Sequence, residues 1–167
     1  MENSVNPVDF DTRPPAPTKR FALIRADWHA DVVDRAREGF LREMATAGIG
    51  ADQVDDFSVP GAFEIPLLVK KLAQSEQYAG IVAVALVVDG GIYRHDFVAE
   101  AVVSGLMRVQ LDTDVPVFSV VLTPHNYQET EDLITFYRDH FVKKGAEAAR
   151  ACLRTIDTLG ILEAVAG

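Results

Sequence analysis

The chain has 167 residues, 49% of them hydrophobic and 25% charged, which suits one globular domain with a substantial core and leaves no room for a second. With 16 Lys and Arg against 25 Asp and Glu the net charge is −9, and the basic residues are scattered, so a nucleic-acid backbone is repelled rather than held. The apolar runs fall far short of the roughly 20 residues that span a bilayer and the polar start resembles no signal peptide, which excludes a membrane protein and reads as cytoplasmic.

Residues 1–18 carry Pro7, Pro14, Pro15 and Pro17 with few large apolar side chains, and read as a flexible extension to a single domain at 19–167. Phe21 to Ala26 is a short strand. Asp31 is placed to cap a helix whose apolar stripe is Val33, Ala36, Phe40, Met44 and Ala47. Between strand and helix stand Asp27, Trp28 and His29. The only Trp therefore falls at the carboxyl end of a strand, where open α/β sheets bind ligands, although a large aromatic can equally cover the edge of a core.

Gly48 and Gly50 end that helix, and Val54 to Val59 makes a more polar strand suited to a sheet edge. The turn Pro60 to Pro66 combines rigid and permissive backbone, and Pro66 opens a helix over Leu67 to Ser75. Glu64 in the first turn either caps that helix or accepts hydroxyl hydrogen bonds from a ligand.

Ile81 to Val88 has no polar residue and many branched ones, which predicts a parallel strand buried on both faces at the centre of the sheet. Asp89, Gly90 and Gly91 follow, then Arg94, His95 and Asp96, and then a helix striped with Val98, Val102, Leu106 and Val109, where Gly105 permits close packing. Glycines before a helix N-terminus suit an oxyanion, and an ordinary strand-to-helix turn has the same look. Val115 to Leu122 is the fourth strand, and Gln128 to Asp157 is helical with a break expected around Lys144 and Gly145. Four strands each followed by a helix predict a parallel sheet covered on both faces. His29, His95, His125 and His140 are dispersed without the spacing of metal ligands, no G-x-G-x-x-G follows the first strand, and Cys152 among apolar neighbours reads as a small buried hydrophobe.

With these pieces in place the chain resembles the lumazine synthase family of riboflavin biosynthesis from about Phe21 to Ile156. The specific part is Val59-Pro60-Gly61-Ala62-Phe63-Glu64-Ile65-Pro66, supported by Ile81 to Val98, by the strand ending at Leu122 and by the Lys144-Gly145 pair, while the stretch around Trp28 and Arg94 looks most like the branch known from rhizobia and brucellae. The resemblance implies an α/β fold, a flavodoxin-like three-layer αβα sandwich with a four-stranded parallel sheet. It further implies sites between subunits of a pentamer, no cofactor, and condensation of 5-amino-6-(D-ribitylamino)uracil with 3,4-dihydroxy-2-butanone 4-phosphate. A non-catalytic lumazine- or flavin-binding oligomer is the alternative on the same fold.

Residue by residue, the resemblance gives the ribitylaminouracil to Trp28, Ala62, Phe63, Glu64, Leu86, Val87, Val88 and Ser119, the last standing where many relatives have an aromatic at the subunit boundary. It gives the phosphate to Gly90, Gly91, Ile92 and Arg138. The family's proton-transfer histidine corresponds to Arg94, with His95 one position later. An arginine stays protonated and steadies negative charge but is a poor base, and a helix turns about 100° per residue, so the two positions are not equivalent. In the family, shell-forming members tend to have a short, glycine-containing connection between the last two helices, whereas here the exposed segment from Phe136 to Lys144 has no glycine before Gly145 and aligns as longer, so the resemblance implies a decamer of two pentamers rather than a closed shell, with a free pentamer next.

Overall fold

The computed structural model describes residues 19–90, 92 and 94–166, so the extension at 1–18, together with Gly91 and Tyr93, lies outside the described residues. Four strands, β1 (Arg20–Ala26), β2 (Val54–Val59), β3 (Tyr78–Leu86) and β4 (Val117–Leu122), alternate with four helices, α1 (Ala30–Thr46), α2 (Ile65–Gln74), α3 (His95–Thr113) and α4 (Glu131–Ala166). The strands form one parallel sheet in the order β2-β1-β3-β4.

Alternation along the strands builds two cores. Ala22 and Ile24 of β1 join Ile81, Ala83 and Ala85 of β3 on the face covered by α2 and α3, where Ile65, Val69, Leu72, Val102 and Leu106 are buried. Phe21 and Leu23 join Val82 and Val84 on the other face, under Val33, Phe40 and Met44 of α1 and Phe141, Ala149 and Cys152 of α4. This is the flavodoxin-like αβα sandwich. The central strand is apolar throughout because both its faces are covered, while β2 is polar because it is an edge: Asp55 accepts from Arg20 at 3.0 and 2.6 Å, and Asp56 from Arg25 at 2.9 Å and Arg37 at 2.7 Å.

Three local expectations are corrected. The N-cap of α1 is His29, in the left-handed region at φ 59°, while Asp31 sits inside the first turn and binds Arg138. Ala47 is the exposed C-cap rather than part of the stripe, because Gly48 at φ 83° turns the chain there. The expected break at Lys144 and Gly145 is absent, since α4 runs unbroken through them and Gly145 serves packing instead. A Cβ at Gly145 would lie 1.9 Å from the carbonyl oxygen of Ala36, and one at Gly39 would lie 1.8 Å from that of Val142. Each helix lays its backbone on the other's glycine.

Candidate active site

The order of the strands reverses between β1 and β3, and in sheets of this kind ligands bind at that point, beyond the carboxyl ends of the strands. A cleft of about 350 Å³ opens there. Its floor is Ala26 from β1 with Leu86 from β3 and Val87 just after it, one wall is Val98 of α3, and the other is the turn from Pro60 to Glu64. Trp28 stands at its side, 63% exposed, and Phe63 faces the same space, 67% exposed. Covering the core edge is therefore not the role of Trp28. Two large aromatics left open over an apolar floor suit a flat ring.

Glu64 is the residue on which α2 begins, yet its carboxylate makes no capping hydrogen bond and lines the cleft. The positive end of α2 favours the anion in place, and its oxygens remain available to hydroxyl donors. Gly61 leaves space for it: a Cβ there would come within 3.1 Å of the Glu64 Oε2 atom.

The expected pyrimidine residues Trp28, Ala62, Phe63, Glu64, Leu86 and Val87 thus converge on one cleft. Val88 does not. Its side chain is buried in the core under α1 and α4. Ser119 lies exposed on the edge strand β4, its Oγ accepting the Val121 amide at 3.3 Å, and does not line the cleft. Pro60, Gly61, Ala26 and Val98 complete the lining without having been expected as ligands; the first two belong to the Pro-Gly turn that marks the site in the sequence.

Beyond Val88, Gly90 is exposed and Ile92 is 97% exposed. Arg94 precedes α3, gives Asp96 two hydrogen bonds at 3.2 and 2.9 Å, and rests 4.5 Å from the centre of the Phe97 ring. The bond to Asp96 raises the guanidinium pKa further above its ordinary value, and the bond from Arg94 lowers that of Asp96. His95 points elsewhere, into a second cleft with Thr123 and His125. Arg138 on α4 donates to Asp31 at 2.9 Å. Cys152 is buried, its thiol pushed up to about 12 by burial, so it serves packing and not nucleophilic chemistry. Among the described residues no group of His, Cys, Asp and Glu could hold a metal ion, and no helix is long and apolar enough to cross a membrane.

The family model for 6,7-dimethyl-8-ribityllumazine synthase matches residues 18–160. The chain is 60% identical over 144 residues to 6,7-dimethyl-8-ribityllumazine synthase of Rhodococcus erythropolis, covering 86% of this chain and 93% of the relative. It is 57% identical to 6,7-dimethyl-8-ribityllumazine synthase 2 of Pseudomonas syringae pv. tomato, covering 84% and 83%, and 52% identical to the protein of that name from Bradyrhizobium diazoefficiens, covering 84% of each chain.

Proposed function

The chain belongs to the 6,7-dimethyl-8-ribityllumazine synthase family, and from that premise we propose how its residues divide the work of the condensation that makes 6,7-dimethyl-8-ribityllumazine in riboflavin biosynthesis. An amine of 5-amino-6-(D-ribitylamino)uracil attacks the ketone of 3,4-dihydroxy-2-butanone 4-phosphate to form an imine with loss of water, phosphate is eliminated, and ring closure with loss of a second water gives the lumazine. Trp28 stacks on the pyrimidine over Leu86 and Val87. The ribityl hydroxyls donate to Glu64 beside Ala62 and Phe63. The single observation that carries this reading is the uncovered indole beside an apolar floor with an uncapped carboxylate across from it.

The phosphate meets the loop at Gly90, Gly91 and Ile92, ahead of α3, with Arg94 as a fixed positive charge. Proton transfer by a side chain is secondary, and holding two substrates in register supplies most of the acceleration. Arg138 and Ser119 act on the cleft of a neighbouring subunit, because both stand away from the cleft of their own chain. The assembly is a decamer of two pentamers in the cytoplasm. What supports association is α3, whose Val103, Met107 and Leu111 recur every fourth residue and are all exposed, an apolar stripe that a lone chain leaves in water.

Mixing the protein with both substrates and following lumazine fluorescence tests the activity, and turnover is expected. Trp28→Ala should lower affinity for the ribitylaminouracil by about 1–3 kcal/mol, the scale of a lost aromatic stack. Unchanged binding in titration calorimetry, with the fold intact, removes Trp28 from the site.

A further inference from the structure

Trp28 has little of its own to hold it, being more than half exposed, and the residue that follows it is unusual. His29 starts α1 in the left-handed region, φ 59° and ψ 38°, a conformation disfavoured for a residue with a Cβ. The turn around it is tightly tied. The Asp27 amide donates to Val59 at 2.8 Å, the Ala30 amide to Asp27 at 3.1 Å, and the Val32 and Val33 amides to the His29 carbonyl at 3.0 and 2.9 Å.

The imidazole makes no capping bond. It stands edge-on to Tyr127 in the loop after β4, ring centres 5.6 Å apart and planes at 70°, with Nδ1 3.9 Å from a Glu129 carboxylate oxygen. Tyr127 in turn packs on Tyr137 of α4 at 5.3 Å, and the neighbouring Arg138 reaches back to Asp31 of α1. Neither His29 nor Tyr127 lines the cleft. The loop after β4 and the start of α4 therefore grip, from behind, the turn that presents the indole.

We infer that His29 is a positioning residue for Trp28: its left-handed backbone sets the direction in which the indole leaves the turn, and its ring, wedged on Tyr127, keeps the turn from relaxing. This rests on the reading that Trp28 stacks on the pyrimidine. A stacking platform helps binding only when its orientation is fixed before the ligand arrives. The contact also couples the loop after β4 to the pyrimidine side of the cleft through two rings.

The chain has a single Trp, so indole fluorescence reports on residue 28 without any ligand. Time-resolved anisotropy of the assembled full-length protein should show a larger nanosecond wobble in His29→Gly, which keeps the backbone conformation accessible and removes the ring, and in Tyr127→Ala. Both should raise KM for the ribitylaminouracil about 3- to 10-fold, the span of one aromatic edge-to-face contact, and leave kcat within about twofold. Tyr127→Phe keeps the ring and should behave as the parent. Because both residues act through one contact, the double variant should be no worse than either single one. Wobble or KM unchanged in Tyr127→Ala, or additive effects in the double variant, overturns the inference, and Tyr127→Ala decides alone if His29→Gly fails to fold. Trp28→Ala with unchanged pyrimidine affinity defeats the stacking role alone, while the anisotropy still decides the clamp.

Discussion

Arg94 illustrates how one side chain narrows a mechanism. Its charge is locked in by the Asp96 carboxylate and by the Phe97 ring beneath it, so it stays protonated and suits the anion-steadying role proposed for it rather than that of a base. His95, the next residue, lines a cleft shared with Thr123 and His125 and not the one beside Trp28. The pH profile of the parent should therefore lack a histidine-like titration. In Arg94→His a rate dependence near the ordinary histidine pKa of about 6.5 should appear, with activity rising as the new imidazole loses its proton and becomes able to act as a base. A parent profile that already titrates there, and loses the titration in His95→Ala, would hand proton transfer to His95.

At the scale of elements the contact between α1 and α4 is the most demanding in the molecule. Gly39 and Gly145 let the two backbones touch, and a methyl group at either would meet a carbonyl oxygen and carbon that cannot move unless the helices part. Gly145→Ala should destabilise the fold by about 2–4 kcal/mol, overpacking against backbone being at the severe end of its class. Gly160, in the same helix, has nothing within 4 Å of where a Cβ would stand, so Gly160→Ala should gain up to about 1 kcal/mol. Denaturant midpoints of the two variants check the pair, and similar values would show that the close approach does not matter. Since α4 also carries Tyr137 and Arg138, separating it from α1 should loosen the grip on the turn holding Trp28.

For the whole molecule, the site is one-sided within a single chain. The cleft lies over β1 and β3, whereas Ser119 faces out from β4 at the sheet's edge, and on the proposed reading a second copy brings that edge to the cleft. Monomers should be inactive. The segment from Phe136 to Lys144 is the interior of α4: Phe141 is buried and Val142 lies on Gly39, while Phe136 remains exposed and stacks on His140 at 5.7 Å. On the proposed assembly, the exposed Phe136 is the apolar centre of the two-fold contact between pentamers. Light scattering coupled to size exclusion should give the mass of a decamer, and Phe136→Asp should shift it to the pentamer with turnover retained. A shell-sized particle, or an active monomer, would defeat this reading.

Much of this architecture is written locally. Apolar runs of strand length, the Pro-Gly turn at 60 to 66, and the glycines after Val88 determine where strands end and helices begin, and in an all-parallel sheet every strand ends on the same side. That alone gathers Trp28, Phe63, Glu64 and Val87 at one edge. What only the tertiary structure decided are properties that depend on partners far away along the chain. Val88 leaves the cleft because its side chain is buried in the core under α1 and α4, and His95 leaves it because of where α3 begins. Gly145 looks like a helix breaker in sequence and is a packing residue in space, since its partner, Ala36, comes more than a hundred positions earlier. His29 shows no local sign of its left-handed backbone, because the rings and ties that hold it come from β2, the loop after β4 and α4, and such a conformation persists only where surrounding contacts outweigh its strain.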